Sequence, residues 1–129
     1  MSAHTTYGLT HIALLVKDID TAVRFYTAVF DARVMYRQPH FAQIQTVGSN
    51  DIIVFEEAPE RLGEIGTTGG ILHFGFRLQR PEDLPMMAAR VQEAGGVITQ
   101  QGEFVPGEPY IFFKDPDGYE VELWYEKED

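Results

Sequence analysis

Two histidines and one glutamate stand in segments of the sequence that are otherwise apolar. His11 lies in LTHIALLV, His73 lies in ILHFGFRL, and Glu122 lies in YEVELWYE near the end of the chain. Because successive side chains of a strand point to opposite faces, each of the three is expected opposite its apolar neighbours. Small residues, Ala13 and Gly75, follow the two histidines on the same face and leave room there for a ligand.

Two imidazoles and one carboxylate are a ligand set that binds a divalent metal ion and leaves positions open for a substrate. His11, His73 and Glu122 could form such a centre if the strands that carry them belong to one curved sheet. Taken alone, either histidine is more often a packed or surface residue, and Glu122 could be a surface carboxylate on an edge strand. The interpretation therefore depends on the joint pattern, from which His40, in a predicted loop, is left out.

The elements that would position these residues occur twice along the chain. Residues 7–57 (module one) and residues 70–126 (module two) each show a strand, a helix and three further strands, separated by the glycine-rich linker 58–69. The offset that aligns His11 with His73 also aligns Ala13 with Gly75. This pattern predicts a duplicated βαβββ unit within a single domain that covers residues 1–129.

The predicted fold is α+β, with two βαβββ modules that form a curved mixed sheet around a cleft and helices on the outer face. Asp18 is a typical N-cap for the first helix, with Thr21 three residues later. The second helix begins in RPEDL and ends at Gly95 and Gly96. Residues 71–78 are predicted to form the first strand of module two.

The composition excludes several classes of function. The chain has 20 acidic and 10 basic residues, a formal charge of −10, which disfavours nucleic acid and anionic membrane surfaces as partners. It has no cysteine, so disulfides and thiolate metal sites are excluded. No apolar run approaches the roughly 20 residues of a membrane helix, and a soluble cytoplasmic protein is expected.

Two longer segments resemble a known family. LTHIALLVKDIDTAVRFYTAVFDARV near the start and DPDGYEVEL near the end resemble the vicinal oxygen chelate superfamily. That superfamily includes glyoxalase I, extradiol dioxygenases, fosfomycin-resistance enzymes and bleomycin-resistance proteins. The resemblance implies that His11, His73 and Glu122 hold a divalent ion (Fe, Zn, Ni or Mn), which a small substrate binds through neighbouring oxygens. Resemblance to the small members also implies a homodimer with its sites at the subunit boundary.

The sequence departs from the pattern of the superfamily at three positions. Members that resemble glyoxalase I have a fourth ligand where this chain has Val54, and Glu56 could supply it only through a slipped strand register. The dioxygenase pattern has an acid/base tyrosine where this chain has Phe112, with Tyr110 two residues away. The fosfomycin pattern has a threonine at the position of Ala13.

Two functional hypotheses follow from the resemblance. In the first, the protein is a metalloenzyme of the lyase, isomerase or ring-cleaving dioxygenase type, with Glu122 or Glu56 carrying a proton in a glyoxalase-like reaction. In the second, it is a metal-free protein that sequesters a small cationic molecule in an acidic, aromatic-lined cleft, as in bleomycin resistance. A regulatory module with a vestigial site is a third possibility that nothing in the sequence demands.

Three further residues are candidates for contact with a substrate. Arg77 shares the face of His73 and could orient a substrate carboxylate, although a salt bridge to a nearby acid is the alternative. Tyr110 and Trp124 could line the cleft, although burial in the core would explain them equally well.

Overall fold

The computed structural model describes residues 5–66 and 69–128, and these form the two predicted modules. Module one contains β1 (His11–Leu15), α1 (Ile19–Phe30), β2 (Arg33–Gln38), β3 (Phe41–Gln45) and β4 (Ile52–Glu56). Module two contains β5 (Phe74–Arg77), α2 (Leu84–Glu93), β6 (Val97–Glu103), β7 (Pro109–Lys114) and β8 (Glu120–Trp124). The linker contains a short 3₁₀ helix, Pro59–Glu64, and a second one, Pro81–Asp83, leads into α2.

Each module folds into its own four-stranded mixed sheet. The strand orders are β1-β4-β3-β2 and β5-β8-β7-β6, so the two sheets repeat one topology. The α+β fold and its βαβββ modules are confirmed. Within the described residues, however, the eight strands form two hydrogen-bonded sheets instead of one continuous curved sheet.

Alternation along the strands buries one face of each sheet under the helices. Helix α1 packs on β3 and β4, helix α2 packs on β6 and β7, and the helices contact each other. The buried residues form one core that spans both modules, and the rings of Phe30 and Phe76 stack across the boundary with centroids 4.0 Å apart. The opposite face of each sheet, called the open face below, is covered by neither α1 nor α2.

Helix α1 begins where the sequence predicts. Asp18 has extended backbone angles, and its Oδ2 accepts hydrogen bonds from the Thr21 N–H and the Thr21 hydroxyl at 2.9 and 2.8 Å. Such a cap satisfies one of the free N–H groups at the helix start. Six residues of the helix at helical spacing are buried in the core: Ile19, Ala22, Phe25, Tyr26, Val29 and Phe30.

The first strand of module two is shorter than predicted. Strand β5 begins at Phe74, and the three preceding residues belong to no strand or helix. Ile71 and Leu72 are 63% and 74% exposed, so Leu72 does not join the apolar face of the strand. None of the helices in the described part of the chain is long and apolar enough to cross a membrane.

Candidate metal centre

The strand register brings the candidate residues of module two into neighbouring rows on its open face. One row runs across the sheet through Gly75, Glu122 and Phe112, and the next runs through Arg77, Trp124, Tyr110 and Gly102. His73 precedes β5 by one residue, at the edge of these rows. The rows place one imidazole and one carboxylate side by side among aromatic rings.

His73 and Glu122 are in direct contact. Nε2 of His73 lies 3.3 Å from Oε1 of Glu122, with the two side chains 35% and 13% exposed. Metal bonds of about 2.1 Å at angles of roughly 90–110° place two ligating atoms about 3.0–3.4 Å apart, so this separation fits two ligands of one ion. The ring of Phe112 packs edge-on against His73 with centroids 4.9 Å apart and restricts the orientation of the imidazole.

His11 lies on the open face of module one, where it is exposed. Within residues 5–66 and 69–128 of the single chain, no three or more His, Asp or Glu side chains form a group that could hold a metal ion. The structure therefore unites His73 with Glu122 but does not add His11 to them. The apolar residues that precede both histidines in the sequence are exposed. Tyr7 and Leu9, before His11, are 100% and 97% exposed, and Ile71 and Leu72, before His73, are 63% and 74% exposed.

Module one carries a valine where module two carries its carboxylate. Val54 pairs with Ala13 in the same register in which Glu122 pairs with Gly75. Glu56 pairs with Leu15, one row further, at the position that Trp124 occupies in module two. The register of β1 and β4 is regular. Glu56 therefore lies one row away from the row of Ala13 and Val54, which corresponds to the row of Gly75 and Glu122 in module two and is called the ligand row below.

Arg77 is already engaged by its neighbours. Its guanidinium lies over Trp124, 5.6 Å from the ring centroid, and Nη2 donates to the backbone oxygen of Glu126 at 2.8 Å. Nη1 is also 3.9 Å from the Glu126 carboxylate. The last of these contacts is a salt bridge to a nearby acid, the alternative to substrate binding, and substrate binding by Arg77 stays a prediction.

Tyr110 points away from the His73–Glu122 pair. Its hydroxyl accepts a hydrogen bond from Nε2 of Gln100 on β6 at 2.9 Å, while β8, which carries Glu122, lies on the opposite side of β7. A Cβ on Gly102 would lie 3.1 Å from the Tyr110 hydroxyl oxygen, so the ring crosses β6 over this glycine. Tyr110 consequently cannot replace the hydroxyl that Phe112 lacks beside His73.

A cavity of about 710 Å³ lies beside His73 and is bounded by both modules and the linker. Ala13, Leu15 and Glu56 line it from module one, and Ile71, His73 and Glu120 line it from module two. The linker adds more carboxylates, of which Glu64 is hydrogen-bonded to Arg61 at 2.7 Å. The cavity therefore combines an apolar wall with an acidic wall and brings Glu56 to the same space as His73.

The turn that leads into β8 forms hydrogen bonds between module two and module one. The Tyr26 hydroxyl donates to Asp115 at 2.7 Å, the Lys17 N–H donates to Asp117 at 2.9 Å, and the Tyr119 hydroxyl donates to the Leu15 carbonyl at 2.7 Å. We call this turn, Asp115 to Tyr119, the clasp. DPDG belongs to a segment that resembles the superfamily, and its aspartates between apolar strands could also have indicated buried hydrogen bonds.

Asp115 of the clasp is buried, with 6% of its surface exposed. Burial raises the pKa of the Asp115 carboxyl above its usual value, while the hydrogen bond from Tyr26 and two from backbone N–H groups act in the opposite direction. The clasp fixes the start of β8 and hence the strand that carries Glu122.

Comparison with known proteins adds a family match. The family model described as Glyoxalase/Bleomycin resistance protein/Dioxygenase superfamily matches residues 8–123. Metallothiol transferase FosB of Bacillus licheniformis is 27% identical over 124 residues, which cover 95% of this chain and 78% of FosB. Catechol-2,3-dioxygenase of Bacillus subtilis is 24% identical over 128 residues, which cover 98% of this chain but 44% of the dioxygenase.

A solved structure shares the fold. The crystal structure of a mutant of the fosfomycin resistance protein FosX from Listeria monocytogenes superposes with a TM-score of 0.74 at 23% identity. The match covers 92% of this chain and 89% of that one. That FosX crystal contains Mn(II) and a dihydroxypropylphosphonic acid. At this level of identity the match shows that the two chains have the same fold.

Proposed function

Because the chain belongs to the Glyoxalase/Bleomycin resistance protein/Dioxygenase superfamily, we propose that it is a metal-dependent enzyme. Its substrate is a small oxygenated organic molecule that binds a divalent ion through neighbouring oxygens. The observation that carries this proposal is the 3.3 Å contact between His73 and Glu122 on an open sheet face. FosX, with Mn(II) in its crystal, and the matched dioxygenase and transferase are consistent with such a role.

In this proposal His73 and Glu122 hold the ion together with His11 from a second copy of the chain. His11 is exposed and the single chain brings no third ligand to the pair among its described residues, so another copy is the natural source. The exposed apolar side chains that flank both histidines support this arrangement, because contact between two copies would bury them. An imidazole, an imidazole and a carboxylate suit Fe, Zn, Ni or Mn.

The metal ion would supply Lewis-acid stabilisation of the negative charge that develops on substrate oxygens. The chain's own residues orient the ligands and carry protons. Phe112 restricts the His73 ring, and Glu56, which lines the same cavity as His73, is proposed to act as the general base. Because Phe112 has no hydroxyl, proton transfer falls to the carboxylates Glu56 and Glu122, which favours the lyase or isomerase type over ring cleavage.

The test combines metal analysis with subunit mixing. Wild-type protein is expected to purify with a transition metal and as a dimer, and the His11→Ala and Glu122→Gln variants are each expected to lose the metal. When these two variants exchange subunits, each mixed dimer regains one intact site, about a quarter of the wild-type metal content after statistical exchange. The control is His40→Ala, which removes an exposed histidine paired with Glu57 at 2.8 Å.

Each outcome of this experiment has a distinct meaning. A mixture that stays free of metal would refute the contribution of His11 from a second copy. Wild-type protein that binds no transition metal would refute the enzyme and favour sequestration of a cationic molecule, for which the acidic wall of the cavity provides a surface. Equal metal loss in the His40→Ala variant would show that the assay does not report on the proposed centre.

A further inference from the structure

A second cavity lies on the other side of the module two sheet, between the start of α2 and strands β6 and β7. It has a volume of about 520 Å³, and we call it the helix-side pocket. Pro85 and Ala88 line it from the helix, and Pro109 and Ile111 line it from the strands. Among the described residues it shares none of its lining with the cavity beside His73, so the two spaces are separate.

The helix-side pocket exists because α2 presents a small side chain to the sheet. Ala88 lies one turn after Leu84 and one turn before Val91, on the face of α2 that packs against the core. Leu84, Val91 and Ile111 are buried, with 8%, 0% and 2% of their surfaces exposed. The methyl group of Ala88 is too short to fill the gap between helix and strands, which leaves an apolar space at this point.

Three prolines restrict the backbone around the helix-side pocket. Pro81 begins the 3₁₀ helix before α2, Pro85 lies in the first turn of α2, and Pro109 begins β7. All three line the pocket. Because the proline ring fixes φ at about −65°, these walls are rigid. A preformed, largely apolar pocket of this size is typical of sites for small molecules.

The charges at the mouth of the helix-side pocket are negative. Glu82 and Glu103 are the only charged residues in its described lining, and both are exposed. One carboxylate oxygen of Glu103 accepts the Gly107 N–H at 2.7 Å, and the second oxygen can accept from a ligand. The adjacent Arg80 is engaged by Asp83, whose carboxylate accepts two hydrogen bonds from the guanidinium at 3.2 and 3.3 Å. The mouth therefore attracts a cation.

The start of α2 does not offset this negative charge. Helix N-termini bind anions through free N–H groups, but Pro81 and Pro85 have no N–H. The N–H groups of Asp83 and Leu84 donate to the carbonyls of Arg80 and Pro81. An anionic ligand would therefore meet two carboxylates without a cation in the described lining of the pocket.

We propose that the helix-side pocket binds a small amphiphilic amine. The apolar part of the ligand fills the space beside Ala88, where burial of its surface stabilises the complex. The ammonium group lies at the mouth, where the carboxylates of Glu82 and Glu103 accept charge-assisted hydrogen bonds from it. The site is independent of the proposed metal centre, because neither His73 nor Glu122 lines it.

The full-length protein can be tested with three probes that share one alkyl chain. Hexylamine carries a positive head group, hexanol a neutral one and hexanoate a negative one. In titrations of ¹⁵N-labelled protein followed by NMR, hexylamine is expected to shift the amide signals of Ala88, Gln101 and Ile111 in a saturable manner. Its affinity is expected to exceed that of hexanol at least about fivefold. Hexanoate is expected not to bind.

Two variants of α2 test the apolar and the charged part of the site separately. Ala88→Leu fills the space and is expected to weaken hexylamine binding at least about tenfold. Its control is Ala89→Leu, the same change at an exposed position of the same helix. Glu82→Gln is expected to weaken hexylamine binding about threefold and to leave hexanol binding unchanged. Its control is Glu93→Gln, at the exposed end of α2.

The outcomes decide the location and the chemistry of the ligand. Hexylamine shifts confined to the open faces of the sheets, or unchanged hexylamine affinity in Ala88→Leu, would refute the location. Hexanol or hexanoate that binds as tightly as hexylamine would refute a cationic ligand. If Ala88→Leu does not fold, the amide shifts of the wild-type protein decide the location, because they require no substitution. The metal content of all four variants is expected to equal that of the wild type.

Discussion

The two modules have the same topology but different chemistry at equivalent positions. In both, the first strand lies parallel to the last, with Ala13 opposite Val54 in one and Gly75 opposite Glu122 in the other. The carboxylate of module two therefore stands where module one has a buried valine that is 7% exposed. A shared backbone thus supports a histidine and a glutamate in contact in one module and a single exposed histidine in the other.

The residues around Val54 and Glu122 also differ between the two modules. The residue opposite Glu122 on the third strand is Phe112, whereas the residue opposite Val54 is Gln43. Trp124 of module two corresponds to Glu56 of module one. The proposed function assigns the two modules different roles, in which module two would hold the ion through His73 and Glu122, and module one would contribute His11 and the carboxylate of Glu56.

The largest expected effect comes from making module two resemble module one. The Glu122→Val variant should lower metal affinity more than about 100-fold, because a lost ligand costs more than the 10–100-fold typical of residues that only support ligands. Glu56→Val is the matched control, since it makes the same change in the row next to the ligand row and should retain the metal. Competition with a chelator measures both. Equal affinities in the two variants would contradict the division of roles.

A smaller effect is expected where the clasp joins the modules. Tyr26→Phe removes the hydrogen bond to the buried Asp115 carboxylate and should lower the free energy of unfolding by about 1.5–3 kcal/mol, the range for bonds to charged groups. Chemical denaturation at neutral pH measures this change. Tyr36→Phe is the control, because Tyr36 is 48% exposed on an edge strand.

The cost of Tyr26→Phe should also depend on pH. Burial already raises the pKa of Asp115 in the folded protein, and losing the Tyr26 hydroxyl should raise it further. A raised pKa in the folded state stabilises the fold below the unfolded pKa and loses that contribution as pH rises through the folded value. The difference between wild type and variant should therefore grow from acid towards neutral pH. A constant difference would mean that Asp115 does not titrate in this range.

The smallest effect concerns the ends of the two helices. Helix α2 is followed by Gly95 at φ +98°, whereas α1 is followed by Asp31 at φ +53°, a conformation that strains most residues other than glycine. Asp31→Gly should stabilise the protein by about 0.5–1 kcal/mol, less the small contribution of its exposed ion pair with Arg90. Gly95→Ala should destabilise by a similar amount, and thermal unfolding measures both. Stabilisation by Asp31→Ala as well would exclude the backbone as the cause.

Local patterns account for what could be predicted correctly. The apolar alternation predicted β1, β3 and β4, and Asp18 predicted the start of α1, because both signals act within a few neighbouring residues. The resemblance to the superfamily assigned Val54 the place of a fourth ligand, and the strand register pairs Val54 with Ala13 as it pairs Glu122 with Gly75. The His11–His73–Glu122 ligand set was inferred from strand alternation and from the resemblance, and it stays a prediction for all three residues.

Long-range contacts account for what could not be predicted. The bond between Tyr26 and Asp115 joins residues 89 positions apart, and nothing local indicates it. The direction of the Tyr110 ring depends on Gly102 and Gln100 in the adjacent strand. The late start of β5 reflects pairing with β8, which begins at Phe74 and leaves Ile71 and Leu72 exposed although their sequence is typical of a strand.

The sequence by itself determined the two βαβββ modules and the faces on which the histidines and Glu122 lie, because strand alternation and helix capping depend on near neighbours. Only the tertiary structure decided that the strands form two sheets, that His73 meets Glu122 without His11, and that the Tyr110 ring lies over Gly102. These features depend on which strands pair and how closely side chains pack, and residues far apart in sequence set both.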